Sequence, residues 1–313
     1  MNYRTSRQEV TGLVVNEKIN IRQEYRHNVR AMVHRLFSTG SFELWGAVEK
    51  GGKNFIEKRT GTLDELHGRL GFIDSIDVYN KTTAPQGKDS KQLSTKELMY
   101  RQFLIYRDFY TAAWPVILCE GETDNVYLTH AIRSLAAGFP ALAEIDAIGR
   151  IRLRVRLYKY ARSSTARILG LNDGGTSLLK NFIGTYNKET EKFKAPGLRH
   201  PVIIVYDNDA GAGPICSAIK QVAKKAVNGT EPYIHVVHNL YAVPTPRLIS
   251  AKDSKIEDFF DAATKATVID GKTFVDKNTY DSTKHYGKKI FAHRVVRPKA
   301  NTINFTGFQP LRK

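Results

Sequence analysis

Cysteine is nearly absent from this chain: two in 313 residues, Cys119 and Cys216, each inside an apolar segment. That excludes a disulfide framework, and both read as small core residues in a reducing cytosol. Long apolar runs are missing as well. No stretch approaches the roughly 18 residues of a membrane-spanning helix, and the opening MNYRTSRQEV lacks the apolar core of a secretory signal. The expectation is a cytoplasmic chain with no membrane partner. There is no Walker loop and no Gly-x-Ser-x-Gly, which removes the P-loop and serine-hydrolase classes. His235 and His238 lie at an odd offset on an expected strand, so their rings face opposite ways and do not make a zinc pair.

Negative charge is also in short supply. Asp and Glu number 31 against 48 Lys and Arg, a net of +17, with a pI near 9.7. Such a balance favours a polyanionic partner, nucleic acid before a membrane surface. Residues 1–112 hold 18 basic and 13 acidic side chains, leaving 30 and 18 for the remainder, so neither half is neutral. At 42% hydrophobic the chain has enough apolar residues for two ordinary domains.

The first segment reads as a strand over Val10–Asn16 and a helix over Glu17–Phe37 that ends before Gly40. Arg22, Arg26 and Arg30 recur every four residues on one helical face. A short helix is expected over Asp64–Leu70, a polar interdomain linker over Tyr79–Ser94, and a helix from Thr95 to Tyr110. Strands then alternate with helices. Apolar runs at Val116–Cys119, Ile168–Leu171, Val202–Tyr206 and Ile234–Val237 are read as strands. Helices are expected at Thr123–Leu135, Thr176–Ile183, Pro214–Val227 and Ser282–Val296. That order predicts an α/β domain with a mainly parallel sheet.

Two segments share one construction. Pro115–Cys119 leads into Glu120-Gly121-Glu122-Thr123-Asp124, and His200–Tyr206 leads into Asp207-Asn208-Asp209-Ala210-Gly211. Each places carboxylates at the carboxyl edge of a buried strand, where open α/β sheets bind ligands. Asp207 and Asp209, two apart on an extended chain, project to one side. Mg2+ takes oxygen ligands and needs only one or two carboxylates beside substrate phosphate and water. Taken singly, each acid is equally a helix-start, turn or N-cap residue.

At these residues the chain resembles the Toprim superfamily, with its glutamate after the first strand and Asp-x-Asp after a later one. The resemblance covers about residues 113–313. It implies a Mg2+-dependent endonuclease, with Mn2+ as a substitute. Glu120 would be the general base or acid, and Asp207 and Asp209 the metal-holding aspartates. Three further segments resemble OLD-type members: Asn172-Asp173-Gly174-Gly175-Thr176 as a glycine turn, Lys255-Ile256-Glu257-Asp258 as a late acidic segment, and Lys288 as a late lysine. They imply metal ligation by Asp258 and a catalytic role for Lys288. Asp124 and Glu257 stay open between site roles and capping or a solvated face. The long spacing from Glu120 to Asp207 is assigned to an insertion at about 138–167. There Arg150, Arg152, Arg154 and Arg156 alternate with Ile151, Leu153, Val155 and Leu157, a basic strand face suited to phosphates, with Tyr158 or Tyr160 placed to stack on a base.

Gln8-Glu9-Val10-Thr11-Gly12-Leu13-Val14-Val15-Asn16, the basic helix after it, and Gly68–Ile73 resemble the last palm strands and thumb of retron-type reverse transcriptases, over roughly residues 4–75. The polymerase signature Tyr-x-Asp-Asp is missing. The resemblances together imply a palm-edge and thumb remnant (1–78), a linker with connecting helix (79–112) and a Toprim domain (113–313). The implied partners are a retron RNA–DNA hybrid, target DNA or RNA, the remainder of the reverse transcriptase, and a second copy in a homo-oligomer. The implied role is an effector in anti-phage defence. A non-catalytic module that docks the RNA–DNA product is the alternative.

Overall fold

The computed structural model describes residues 8–15, 18–83, 92–161, 163–248, 251–277 and 279–312. The chain forms two compact units. The first comprises Met1–Thr111, Ser163–Leu169 and Lys188–Gly197, and the second comprises Ala112–Arg162, Gly170–Asn187 and Leu198–Lys313.

In the first unit, β1 (Glu9–Val10), β2 (Leu13–Val14) and β3 (Asn20–Ile21) form a small antiparallel sheet. The expected strand over Val10–Asn16 is therefore a hairpin, turned at Thr11 and Gly12, which both have positive φ. Asn16 and Glu17 lie outside the described residues. Helix α1 (Gln23–Thr39) buries Val29, Val33 and Leu36 on one face and ends at Gly40, whose left-handed backbone donates its N–H to Leu36 O at 2.8 Å. Arg22 precedes the helix instead of lying in it. A hairpin, β4 (Glu43–Lys50) and β5 (Lys53–Thr60), turns through Gly51-Gly52, both at positive φ as a tight two-residue turn requires. Its exposed face carries Trp45 and Ile56, 69% and 70% accessible.

Helix α2 (Leu63–Thr83) runs 21 residues, well past the expected Asp64–Leu70 and into the expected linker. Burial of Leu66, Leu70 and Ile73 on a continuous face outweighs the helix cost of Gly68 and Gly71. The linker's middle, 84–91, lies outside the described residues. Helix α3 (Thr95–Ile105) opens with a reciprocal cap: Glu97 N donates to Ser94 Oγ, and Ser94 N donates to Glu97 Oε2. Besides Glu189, which pairs with Lys192 at 2.6 Å, two of this unit's acids are buried, Asp74 and Glu97. Both are met by Arg167, at 2.7 Å and 2.8 Å, and Glu97 also by Lys81 at 3.0 Å.

The second unit is an α/β layer. Its strands are β6 (Val116–Leu118), which leads into helix α4 (Glu122–Ser134), then β7 (Ala143–Ile145), β8 (Ile151–Leu153) and β9 (Arg156–Leu157). After α5 (Ser164–Leu169), which belongs to the first unit, come α6 (Thr176–Thr190), β10 (Val202–Tyr206), α7 (Gly213–Ala223), β11 (Ile234–Val237) and β12 (Leu240–Pro244). The main sheet has the order β11-β12-β10-β6-β9, parallel except for β11. β6 is buried along its whole length, as a parallel strand covered on both faces must be. An aromatic layer closes one side: Tyr127 stands edge-on to Phe260 at 5.1 Å, and Phe274 stacks on Phe291 at 4.2 Å.

Two expectations are corrected here, and a third segment is placed in the sheet. Ile168–Leu171 is the end of a helix and the turn after it, because Ala166, Ile168 and Leu169 bury a helical face. The segment at about 138–167, assigned to an insertion, supplies the edge strand Arg156–Leu157, paired with Val116–Ile117. Helix over Ser282–Val296 begins only at Lys288, after the strand residues His285–Tyr286 pair with Thr273–Phe274. Among the described residues no helix is long and apolar enough to cross a membrane.

Removing one partner of a buried ion pair strands the other charge. Arg167→Met is expected to destabilise the first unit by about 3 kcal/mol, measured by denaturant unfolding, with Asp74→Asn in the same chain recovering part of the loss.

Candidate functional site

The register of the central strands sets the site. Leu118 pairs with Ile204, so the chain leaves β6 at Glu120 level with the point where β10 reaches Asp207. Asp207 N donates to Glu120 Oε1 at 3.1 Å, which ties the two strand ends together through a functional side chain. The Glu120 backbone is held from the other side by the Asn172–Thr176 turn. Gly175 N donates to Glu120 O at 2.6 Å, and a Cβ on Gly174 would sit 2.4 Å from that same oxygen. Gly174 also has φ +75°, so this close approach needs glycine.

The three residues of Asp207-Asn208-Asp209 divide their work. Asp207 Oδ1 accepts from Ile256 N at 2.9 Å. Asn208 is buried and anchored: it exchanges two backbone hydrogen bonds with Ser254, and its Nδ2 donates to Gly229 O at 2.7 Å. Asp209 caps the following turn through Gly211 N at 2.7 Å, and its other oxygen lies 3.9 Å from Lys255 Nζ. Capping and site roles thus coexist on one carboxylate.

In the late acidic segment, Asp258 and Glu257 turn to different partners. Asp258 Oδ2 accepts from Lys255 N at 2.9 Å and closes its own turn, so this carboxylate oxygen serves the backbone. Its neighbour Glu257, 1% exposed, meets Lys288 Nζ at 2.9 Å, while Glu257 Oε1 is buried with no hydrogen-bond partner. Lys288 also lies 3.1 Å from Asp276, whose second oxygen is 3.4 Å from Lys255 Nζ. Asp276 escaped the sequence reading. It follows the two-residue strand Thr273–Phe274, too short to leave an apolar pattern, although an acid just after a strand is the signal that exposed Glu120 and Asp207. Asp124, left open above, accepts from Gly121 N at 3.0 Å at the start of α4.

The electrostatics follow from burial of like charges. Burial first, and the neighbouring Asp207 second, push the Glu120 carboxyl up to about 8. Burial and then Asp124 push Asp207 up to about 6, against the pull of the Ile256 N–H and Lys288. Burial raises Asp124 as well. Burial alone would lower Lys288, but Glu257, Asp276 and Asp207 hold it above the ordinary lysine range. The cluster thus has excess negative charge facing two ammonium groups. Its donors are all oxygens, and Glu257 Oε1 and Asp276 Oδ1 are buried without a hydrogen bond, a set that fits a hard divalent cation. Among the described residues no three of these groups converge as a ready-made metal cage.

The basic residues are more dispersed than expected. Arg150, Arg152, Arg154 and Arg156 are all exposed, with the intervening side chains at least half-buried, so the period-two alternation holds. The ribbon nevertheless bends at Arg154-Val155: β8 pairs with β7, while β9 joins the main sheet. Tyr160 is turned inward, its hydroxyl donating to Cys119 O behind Glu120, and so is not free to stack on a base. In the first unit Arg22 is ion-paired with Glu9, Arg26 is half-buried and Arg30 is exposed. No family model matches the chain, and no solved structure matches it.

Because the Glu120 and Asp207 carboxyls titrate higher folded than unfolded, the native state keeps protons that the unfolded chain has released. Their contribution to stability is therefore complete below about pH 4 and is lost as pH rises toward 8. Glu120→Gln is expected to match wild type at pH 5 and to exceed it by about 3 kcal/mol at pH 8.5 without divalent cations, with added Mg2+ narrowing the gap. Unfolding curves across that pH range provide the measurement. Gly174→Ala is expected to displace the Glu120 backbone, and lost protection of the Gly175 amide in hydrogen exchange would report it.

Proposed function

We propose that the second unit is a Mg2+-dependent endonuclease of Toprim type, cleaving phosphodiesters of DNA or RNA. The observation that carries this reading is the Asp207 N–H to Glu120 carboxylate contact, which joins two acid-bearing strand ends into one half-buried cluster beside Lys288. Asp207 and Asp209 would hold the cation together with Glu120, with Glu257 or Asp276 favoured over Asp258 as a further oxygen donor. Mg2+, or Mn2+ in its place, would supply Lewis-acid polarisation of the scissile phosphate.

The chain's own residues do the rest. A carboxyl that titrates near 8 can accept or donate a proton at neutral pH, which suits Glu120 to general base or acid. Lys288 and Lys255 stand where negative charge would develop, and each already bridges two site carboxylates. The exposed arginines at 150, 152, 154 and 156 would hold the polymer by its phosphates. In this reading residues 1–78, within the first unit, are the palm-edge and thumb remnant of a retron-type reverse transcriptase. They present the partner RNA–DNA hybrid through Arg26 and Arg30, and the nuclease is a defence effector.

A second reading draws on the same lysines. Lys255 and Lys288 neutralise three of the acids directly, Asp209, Glu257 and Asp276, as a chain with a vestigial site and a docking role would arrange them. Labelled single- and double-stranded DNA and RNA, incubated with the purified chain in Mg2+, Mn2+ or EDTA, separate the two. Metal-dependent cleavage that falls at least about 100-fold in Glu120→Gln and in Asp207→Asn is expected. Cleavage that persists in both variants, or salt-sensitive binding with no cleavage in any metal, would overturn the nuclease reading.

A further inference from the structure

The second unit has a concave feature away from the acid cluster. One cavity, of about 450 Å³, lies between α4 and the sheet. Its wall is Leu128, Ala131 and Leu135 on the helix, Ile203 and Val205 on β10, and Phe308 near the end of the chain. A second, of about 530 Å³, opens where the chain enters β10 and β12, and is lined by Arg199, His200, Tyr233 and Tyr241. The two share Ile203, Tyr233 and Val243, so they form one trough with an apolar floor and a basic, aromatic mouth. The mouth lies at the amino ends of β10 and β12, opposite the carboxyl ends that carry Glu120 and Asp207.

The chemistry of the lining selects a ligand. Among the described residues no carboxylate lines either cavity, while an exposed arginine and two histidines, His200 and His238, line the mouth. Apart from Tyr233, shared with the mouth, the described residues lining the deep cavity offer no side-chain hydrogen-bonding group, so the edge of a nucleobase buried there would lose its water without replacement. An acyl chain has no such loss. The volume lies within the range of about 300–1,000 Å³ typical of small-molecule sites, and the surface is concave, unlike a convex patch that would rest on a membrane. Leu198 and His238, both at the mouth, adopt positive φ, a cost that a leucine backbone ordinarily avoids.

We propose that this trough binds one free amphipathic anion, an acyl chain along α4 and β10 with its carboxylate at Arg199 and His200. The site is independent of the nuclease reading, since it shares no residue with the acid cluster.

The test uses the full chain and a fluorescent polyene fatty acid, cis-parinaric acid, displaced by saturated acids of ten to eighteen carbons and by their methyl esters. Saturable micromolar binding is expected, with affinity rising about fourfold per methylene until the cavity is full. The free acid should be preferred over its ester by about tenfold. Arg199→Glu, an exposed change, should remove that preference and leave the melting temperature in place. Ala131→Phe should block the floor. Leu142→Trp, at the half-exposed rim, does the same without loading the core, should the first variant fail to fold. No saturable binding, affinity indifferent to chain length, an unchanged acid preference in Arg199→Glu, or binding only to phosphatidylglycerol vesicles and not to monomeric acid would each overturn the proposal.

Discussion

The second unit depends on one pairing, the parallel register of Val116–Leu118 against Val202–Ile204. Parallel strands cannot be joined by a tight turn, so everything between them in sequence, α4 to α6, is the crossover that the pairing demands. Once the register is set, two loops leave the sheet side by side at its carboxyl edge. Glu120 and Asp207 then meet because backbone geometry leaves them nowhere else to be. The contact between them is itself a backbone-to-carboxylate hydrogen bond, so any slip of one residue between the strands would break it.

The remaining charges are arranged around that contact by segments with little secondary structure of their own. Ile256 N–H and Lys255 come from a short turn and Lys288 from the first residue of a helix, all after the main sheet is complete, and they temper the repulsion that burial creates. The cluster is held in balance by backbone donors and two lysines, with the acids kept apart instead of converging. A cation entering such a site would compete with ammonium groups for the same oxygens, so occupancy and lysine position are linked. The first unit solves its own burial problem differently, with a single guanidinium serving two buried carboxylates.

What could be read in the sequence follows from pattern length. Val116–Leu118 and Val202–Tyr206 are unbroken apolar runs followed by acids and glycine, so strand, loop and site residue announce one another. Strand β12 was not anticipated: it begins three residues after β11 ends, and its alternation of buried and half-buried positions ends in a proline. The β4–β5 hairpin was invisible because most of its positions face solvent, so no buried face marks it out. Asp276 was missed for the same reason of length. Asp258 and Glu257 could not be distinguished from sequence, since adjacent acids on a tight turn differ only in direction, and direction depends on which backbone N–H needs a cap. The alternating arginines were legible as exposed, but the bend at Arg154-Val155 that divides them between two sheets was not.

Asn208 has an implication for how such a chain can change over time. Its buried amide, bonded to Gly229 and Thr245, and its two-way backbone exchange with Ser254 fasten the loop from beneath. The aspartates on either side add one backbone bond each, Asp209 from Gly211 N and Asp207 from Ile256 N. A change at 207 or 209 therefore costs the loop a single bond while the Asn208 anchor stays, so an altered site can persist on an inherited scaffold.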